Sequence, residues 1–126
     1  MFFFYALLHI LIVTGGDKMT IEIMGEQRLL TVHLDGEIDH HYASIVKSAV
    51  EKEIRRTGAV NIAFDFSKVT FMDSSGVGLI LGRYKTVKSL GGKIFIFGAN
   101  YDIERLLMMS GVSKIAEILG GVTYEK

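Results

Sequence analysis

Two adjacent hydroxyls stand where one sequence pattern gives way to another. The stretch FMDSSGVG (71–78) sets Ser74 and Ser75 behind Asp73 and ahead of Gly76 and Gly78. An alternating apolar run leads in and a helical pattern leads out, so the pair marks a strand-to-helix junction. The plainest role there is capping, because Asp and Ser side-chain oxygens accept from the orphan N–H groups of a first turn. A nucleophile elbow requires G-x-S-x-G, but the residues two before Ser74 and Ser75 are Met72 and Asp73. His33, His40 and His41 have no spacing that ties them to a serine triad. Gly76, Gly78 and Gly82 spell G-x-G-x-x-x-G, close to a dinucleotide fingerprint. The acid expected at the end of the next strand is missing from IFIFGAN, and there is no G-x-x-x-x-G-K-[ST]. A steric role suits the glycines better. Gly78 and Gly82 lie one helical turn apart and leave a smooth strip for close backbone approach.

A further reading, beside plain capping, is a phosphorylation switch. A serine at a helix N-terminus is a reachable acceptor, and its phosphate would face free N–H groups and the positive end of the helix dipole. The fold should therefore tolerate the modification. A partner docked on the glycine strip would not, because it would meet roughly two new negative charges beside Asp73. Taking a complex from 99% to 1% bound requires about 5.5 kcal/mol, a size that an unpaired dianion in an interface can reach.

The elements that must position these residues follow from periodicity. Residues 20–24 and 28–34 read as strands, with Leu30, Val32 and Leu34 on one face; 25–27 (GEQ) is a hairpin turn. Gly and acids in DGEID (35–39) end the second strand. Residues 40–57 form a helix with Ala43, Val46, Val50 and Ile54 inward and Lys47, Glu51, Lys52 and Arg55 outward, capped by Asp39 and stopped by Gly58. Residues 60–66 alternate as a strand. A second helix runs to about residue 89, burying Val77, Ile80, Leu81, Tyr84 and Val87, with GG at 91–92 ending it. KIFIFG (93–98) is apolar on both faces, as an interior parallel strand is. Asn100 caps a third helix with Ile103, Leu106 and Leu107 inward and Met108 and Met109 as core and rim; Gly111 stops it, and 114–118 is a last short strand. The order β-β-α-β-α-β-α-β predicts an α/β fold, a mixed, largely parallel sheet with helices packed on it.

A chain of 126 residues that is 49% apolar fits one domain with a substantial core. Lys+Arg and Asp+Glu both total 14, which gives no basic face for nucleic acid. The absence of Cys rules out disulfides and thiolate metal sites and suits a reducing cytoplasm. His40 and His41 are adjacent and lack a third ligand, so no metal is expected. The apolar run MFFFYALLHILIV is shorter than the roughly 20 residues of a bilayer span and lacks the positive start of a signal peptide. GGDKM (15–19) can be encoded by GGA-GGU-GAU-AAA-AUG, a ribosome-binding sequence just ahead of a start codon. Residues 1–18 are therefore expected to be a leader read in frame, with 19–119 the domain and 120–126 a tail.

FMDSSGVGLILGRYK (71–85) resembles the signature of STAS-domain anti-sigma factor antagonists. LDGEIDHHYA (34–43) resembles their second hallmark, and its double His is similar to the sporulation sigma-F branch. RLLMMSGVSKI (105–115) matches the family's third helix and following turn. The resemblance covers residues 19–119. It implies that the unphosphorylated protein binds an anti-sigma factor that is also a serine kinase, freeing the sigma factor. The kinase phosphorylates the first serine of D-S-S-G, here Ser74, and the complex dissociates; a serine phosphatase restores the active form. The protein is then a ligand and substrate rather than an enzyme, without a cofactor of its own, since ATP and magnesium belong to the kinase. On this resemblance Ser75 caps the helix or contacts the partner, and Asp73 orients the turn or touches the kinase. Glu37 and Asp39 join Gly76 and Gly78 in the docking face, and Arg83 meets the partner or the phosphate unless it is a plain surface arginine. The free form is expected to be a monomer, with no membrane or nucleic-acid partner.

Overall fold

The computed structural model describes residues 8–14, 17–24 and 28–120. The hairpin turn read at 25–27, parts of the leader (1–7 and 15–16) and most of the tail (121–126) lie outside the described residues. Six strands form one sheet in sequence order: β1 (Leu8–Thr14), β2 (Asp17–Met24), β3 (Leu29–Ile38), β4 (Asn61–Met72), β5 (Ile94–Phe97) and β6 (Glu117–Leu119). The helices are α1 (His40–Thr57), α2 (Ser74–Ser89) and α3 (Tyr101–Met109), and a 3-10 turn (Val112–Lys114) precedes β6. From β2 onward this is the mixed sheet that the periodicity predicts. β2 pairs antiparallel with β3, and β3 through β6 run parallel. Residues 8–14, read from the sequence as leader, add an antiparallel strand at the edge of β2.

Each parallel step is a strand–helix–strand crossover to the adjacent strand, so right-handed connections stack the three helices on one face. Burial follows this arrangement. Ile21, Val32, Phe64 and Ile96 align across the strands and are fully buried beneath the helices. The opposite face carries half-buried Thr20, His33, Asp65 and Phe97 in the adjoining row.

The structure differs from the sequence reading at the C-terminal end of the β3–β4 pair, in both strands. DGEID does not break the strand. β3 continues to Ile38 through two register shifts, with Gly36 at φ 88°. A glycine adopts that left-handed backbone without a Cβ clash. β4 likewise runs through SKVT to Met72, because β3 supplies its hydrogen-bonding partners. Within α2, Leu81 is exposed, and Leu79 and Arg83 are buried against α1 in its place. Met108 and Met109 are exposed rather than core.

The open face carries a polar array that the sequence does not announce. His33 Nδ1 lies 2.6 Å from Asp65 Oδ2, and its Nε2 lies 2.7 Å from Glu22 Oε1. Asp65 also accepts from the Ser67 N–H and hydroxyl at 2.9 and 2.7 Å. Burial pushes the imidazole down, but the hydrogen bonds and charges of Glu22 and Asp65 outweigh it and hold the ring above its ordinary 6.5. Burial pushes Asp65 up, and the Ser67 bonds with His33 outweigh that, holding it below its ordinary 3.8.

Two outcomes follow for stability. In the window above pH 6.5 the native state holds a proton on His33 that the unfolded chain has released, so the array's contribution declines as pH rises through the folded value. The Asp65 contribution is present above 3.8 and disappears as pH falls through its lower folded value. Melting temperature should therefore fall as pH rises above 6.5, and His33→Gln should flatten that slope; an unchanged slope would show that other groups cause it. Gly92 is a steric constraint of a different kind, because a Cβ there would fall on the Val60 carbonyl at the start of the β4–β5 pairing. Gly92→Ala should cost about 3 kcal/mol in urea unfolding. Gly58→Ala, in open space at φ 75°, should cost only the ~1–2 kcal/mol of a left-handed alanine.

Candidate functional site

Two helix N-termini meet at the C-terminal ends of β3 and β4, and each begins with an aspartate. Asp39 Oδ1 accepts from the Tyr42 N–H at 2.9 Å, and Asp73 Oδ1 accepts from the Ser75 N–H at 2.8 Å. Both caps have extended backbone, as an N-cap requires. The Asp73 N–H donates to the Ile38 carbonyl at 3.3 Å and ties the two turns together. Buried Tyr42 supports the same corner by accepting from the Asp35 N–H at 3.4 Å. Ser74 thus opens α2 as an exposed residue, beside exposed Glu37 near the end of β3 and exposed Asp39 at the cap of α1. Glu37 sits within β3 rather than in a following loop.

Not every residue singled out from the sequence lies on that surface. Ser75 is half-buried, and the oxygen that caps the first turn belongs to Asp73, not to Ser75. Gly76 faces inward: a Cβ there would run into Sδ and Cγ of Met72, so its smallness serves packing. Its N–H, the group a phosphate cradle would use, donates to the Asp73 carbonyl at 3.0 Å. Gly78 and Gly82 do face open space, where a Cβ on either would meet nothing. They border a groove of about 360 Å³ between α1 and α2, whose rim includes His40, Lys47 and Ser75.

Arg83 lines the same groove and corrects the expectation of a surface arginine. Its side chain is only 5% exposed. Nη2 pairs with Glu51 Oε2 at 2.7 Å, and Nη1 reaches the Leu79 carbonyl at 3.4 Å. Nε is buried without a hydrogen-bond partner. Glu51, read as outward-facing, is therefore the partner of a buried cation. The signal for this was faint: Leu79 and Arg83 are four apart and mark a second buried face on α2, turned toward α1. Phe71 was read only as part of the strand leading in, yet it is 55% exposed three residues before Ser74.

Among the described residues no group of His, Cys, Asp and Glu could hold a metal ion, and no helix is long and apolar enough to cross a membrane. A mixed sheet covered on one face, with a capped D-S-S-G turn and an exposed serine at the ends of β3 and β4, defines a small α/β domain. The chain belongs to the STAS domain family, whose model matches residues 20–122. It is 39% identical over 101 residues to the anti-sigma F factor antagonist of Paenibacillus polymyxa, covering 80% of this chain and 86% of that protein. It is 35% identical over 92 residues to the anti-sigma-B factor antagonist of Listeria monocytogenes, covering 70% and 80%. Its fold is similar to that of the anti-sigma factor antagonist SpoIIAA in its unphosphorylated form, with a TM-score of 0.69 at 23% identity over 94% of this chain and 90% of that one.

The Arg83–Glu51 pair gives an asymmetric prediction. Glu51→Ala leaves a buried guanidinium without its carboxylate and should cost about 3 kcal/mol. Arg83→Met leaves a carboxylate that water already reaches and removes the unpartnered Nε, so its cost should stay below about 1 kcal/mol. Urea unfolding of the two variants checks the order.

Proposed function

We propose that this chain is an anti-sigma factor antagonist whose hold on its partner is released by phosphorylation of Ser74. The observation that carries this reading is the exposed Ser74 at the first turn of α2, set between the Asp39 and Asp73 caps. It is supported by 39% identity to a protein named an anti-sigma F factor antagonist.

The unphosphorylated chain docks on an anti-sigma factor that is also a serine kinase, and the sigma factor is freed. Glu37, Asp39, Asp73 and Gly78 surround Ser74 on the docking face. Ser75 and Arg83 contribute from the groove wall, and Gly76 acts from beneath by letting α2 sit against Met72. In the switching step Ser74 Oγ attacks the γ-phosphorus of ATP held by the kinase. The Oγ–P bond forms, the bond to the β,γ-bridging oxygen breaks, ADP leaves, and the hydroxyl proton passes to a base of the kinase. The nucleotide and its magnesium are the kinase's; this chain supplies the hydroxyl and the turn that presents it. The product dianion stands against Asp73 and expels the partner. A serine phosphatase hydrolyses the ester and restores docking. The chain acts as a monomer in the cytoplasm, in control of sporulation; GEIDHH supports the sigma-F branch over the sigma-B one.

Titration calorimetry against the anti-sigma factor, with and without Mg-ATP, tests this. Ser74→Ala should bind as tightly as the parent chain and stay bound when Mg-ATP is added. Ser74→Asp should keep the parent melting temperature and bind about 100-fold more weakly. Phosphate incorporation should persist in Ser75→Ala. Loss of incorporation in Ser75→Ala with retention in Ser74→Ala would overturn the site, and tight stoichiometric nucleotide binding by the chain alone would overturn the reading.

A further inference from the structure

Most apolar side chains of this domain serve the core; of the exposed ones, Tyr101, Met108 and Met109 share a shallow pocket on α3 and the others stand apart. Leu90 caps the far end of α2, Met108 and Met109 lie in the last turn of α3, and Leu119 ends β6. Phe71 is different because of where the strands place it. β5 pairs with β4 only over Ile62–Asp65, whereas β3 follows β4 to Met72. Lys68–Met72 and Asp35–Ile38 therefore run on as a two-stranded ribbon beyond the rest of the parallel sheet. Ile38 and Met72 pair in register and are buried; Glu37 and Phe71 pair in register and are both exposed. Successive strand residues point to opposite faces, so the ribbon has a core side and a solvent side. On the solvent side a phenyl ring stands next to a carboxylate.

That ring is not part of the buried core. It is more than half exposed, and the pairing of β4 with β3 is made by the backbone. A β-branched polar residue would serve the strand as well. Aromatic side chains at interfaces act as anchors when they enter a desolvated pocket, and a charged rim around them sets orientation. Glu37 and Asp73 supply that rim. Tyr101 also sits at the strand-end side of the molecule, as the first residue of α3, but its ring lies 6.0 Å from the Arg105 guanidinium, which gives it a contact within the domain.

We infer that Phe71 is the apolar anchor of the docking face and enters an apolar, basic-rimmed pocket on the anti-sigma factor. This rests on the function proposed above and names the contact that makes docking and switching one event. The anchor lies three residues before Ser74, with only Met72 and Asp73 between them, so seating the ring delivers the hydroxyl to the kinase. Any phosphate added there is then enclosed within the interface rather than at its margin.

The test uses the full chain and the purified anti-sigma factor, with Leu90→Ala as an exposed apolar control at the opposite end of α2. Phe71→Thr should melt like the parent, bind the anti-sigma factor about 30-fold or more weakly, and raise KM for phosphoryl transfer, so that the loss falls on KM rather than kcat. Leu90→Ala should bind as the parent does. If Phe71→Thr melts early, Phe71→Tyr keeps the ring and the strand and adds a hydroxyl that an apolar pocket rejects; it should bind about 10-fold more weakly. Binding of Phe71→Thr within about 3-fold of the parent, with Ser74→Ala bound tightly, would overturn the anchor and leave the proposed function standing. Failure of both the parent chain and Ser74→Ala to bind would overturn the proposed function and the anchor with it.

Discussion

The site depends on one backbone constraint: the parallel pairing of β3 with β4 past the point where β5 has ended. Without that pairing, DGEID and SKVTFM would be two loops of independent geometry. With it, Ile38 and Met72 sit side by side, the Asp73 N–H reaches the Ile38 carbonyl, and α1 and α2 leave the sheet together. Gly36 makes the extension possible, because the register shift next to it needs a left-handed backbone that a residue with a Cβ resists. The residues around Ser74 are thus arranged by hydrogen bonds between strands distant in sequence.

The helices then lock the turn from below. Gly76 lets the first turn of α2 settle on Met72, and the buried Arg83 guanidinium joins α2 to α1 through Glu51. An ion pair of this kind contributes little net stability, because removing the arginine from water costs about as much as the pairing returns. Its effect is on geometry: a fixed spacing between α1 and α2 keeps the groove beside Gly78 and Gly82 open.

Much of this was legible in the sequence where the signal is local. Both aspartate caps, Gly58 as the stop of α1, the extent of α1 and the strand-to-helix junction at Asp73 follow from residue type and a period of 3.6 or 2. What escaped the sequence was non-local. Glu51 and Arg83 are 32 residues apart, as are His33 and Asp65, and no periodicity on one element reports a partner on another. DGEID read as a loop because glycine and acids usually are one; a neighbouring strand overrode that preference. The burial of Gly76 was hidden for a related reason, since the residue it packs on, Met72, belongs to the preceding element.

On the function proposed above, the same geometry lets a charge added at Ser74 act on the partner and not on the fold. The serine lies outside the cap: Asp73 already satisfies the Ser75 N–H, so a phosphate need not displace any bond that holds α2. At a first turn its negative charge meets the positive end of the helix dipole, an interaction of about 0.3–1 kcal/mol that is mildly favourable. Against a docked surface the balance reverses. There, on the function proposed above, the dianion would lose water and face Asp73, and the buried arginine would be held away from it by Glu51. The cost in such a complex would be several kcal/mol, the scale on which a bound state becomes an unbound one. A folded domain that is almost indifferent to the modification and an interface that is intolerant of it are together what a reversible switch requires.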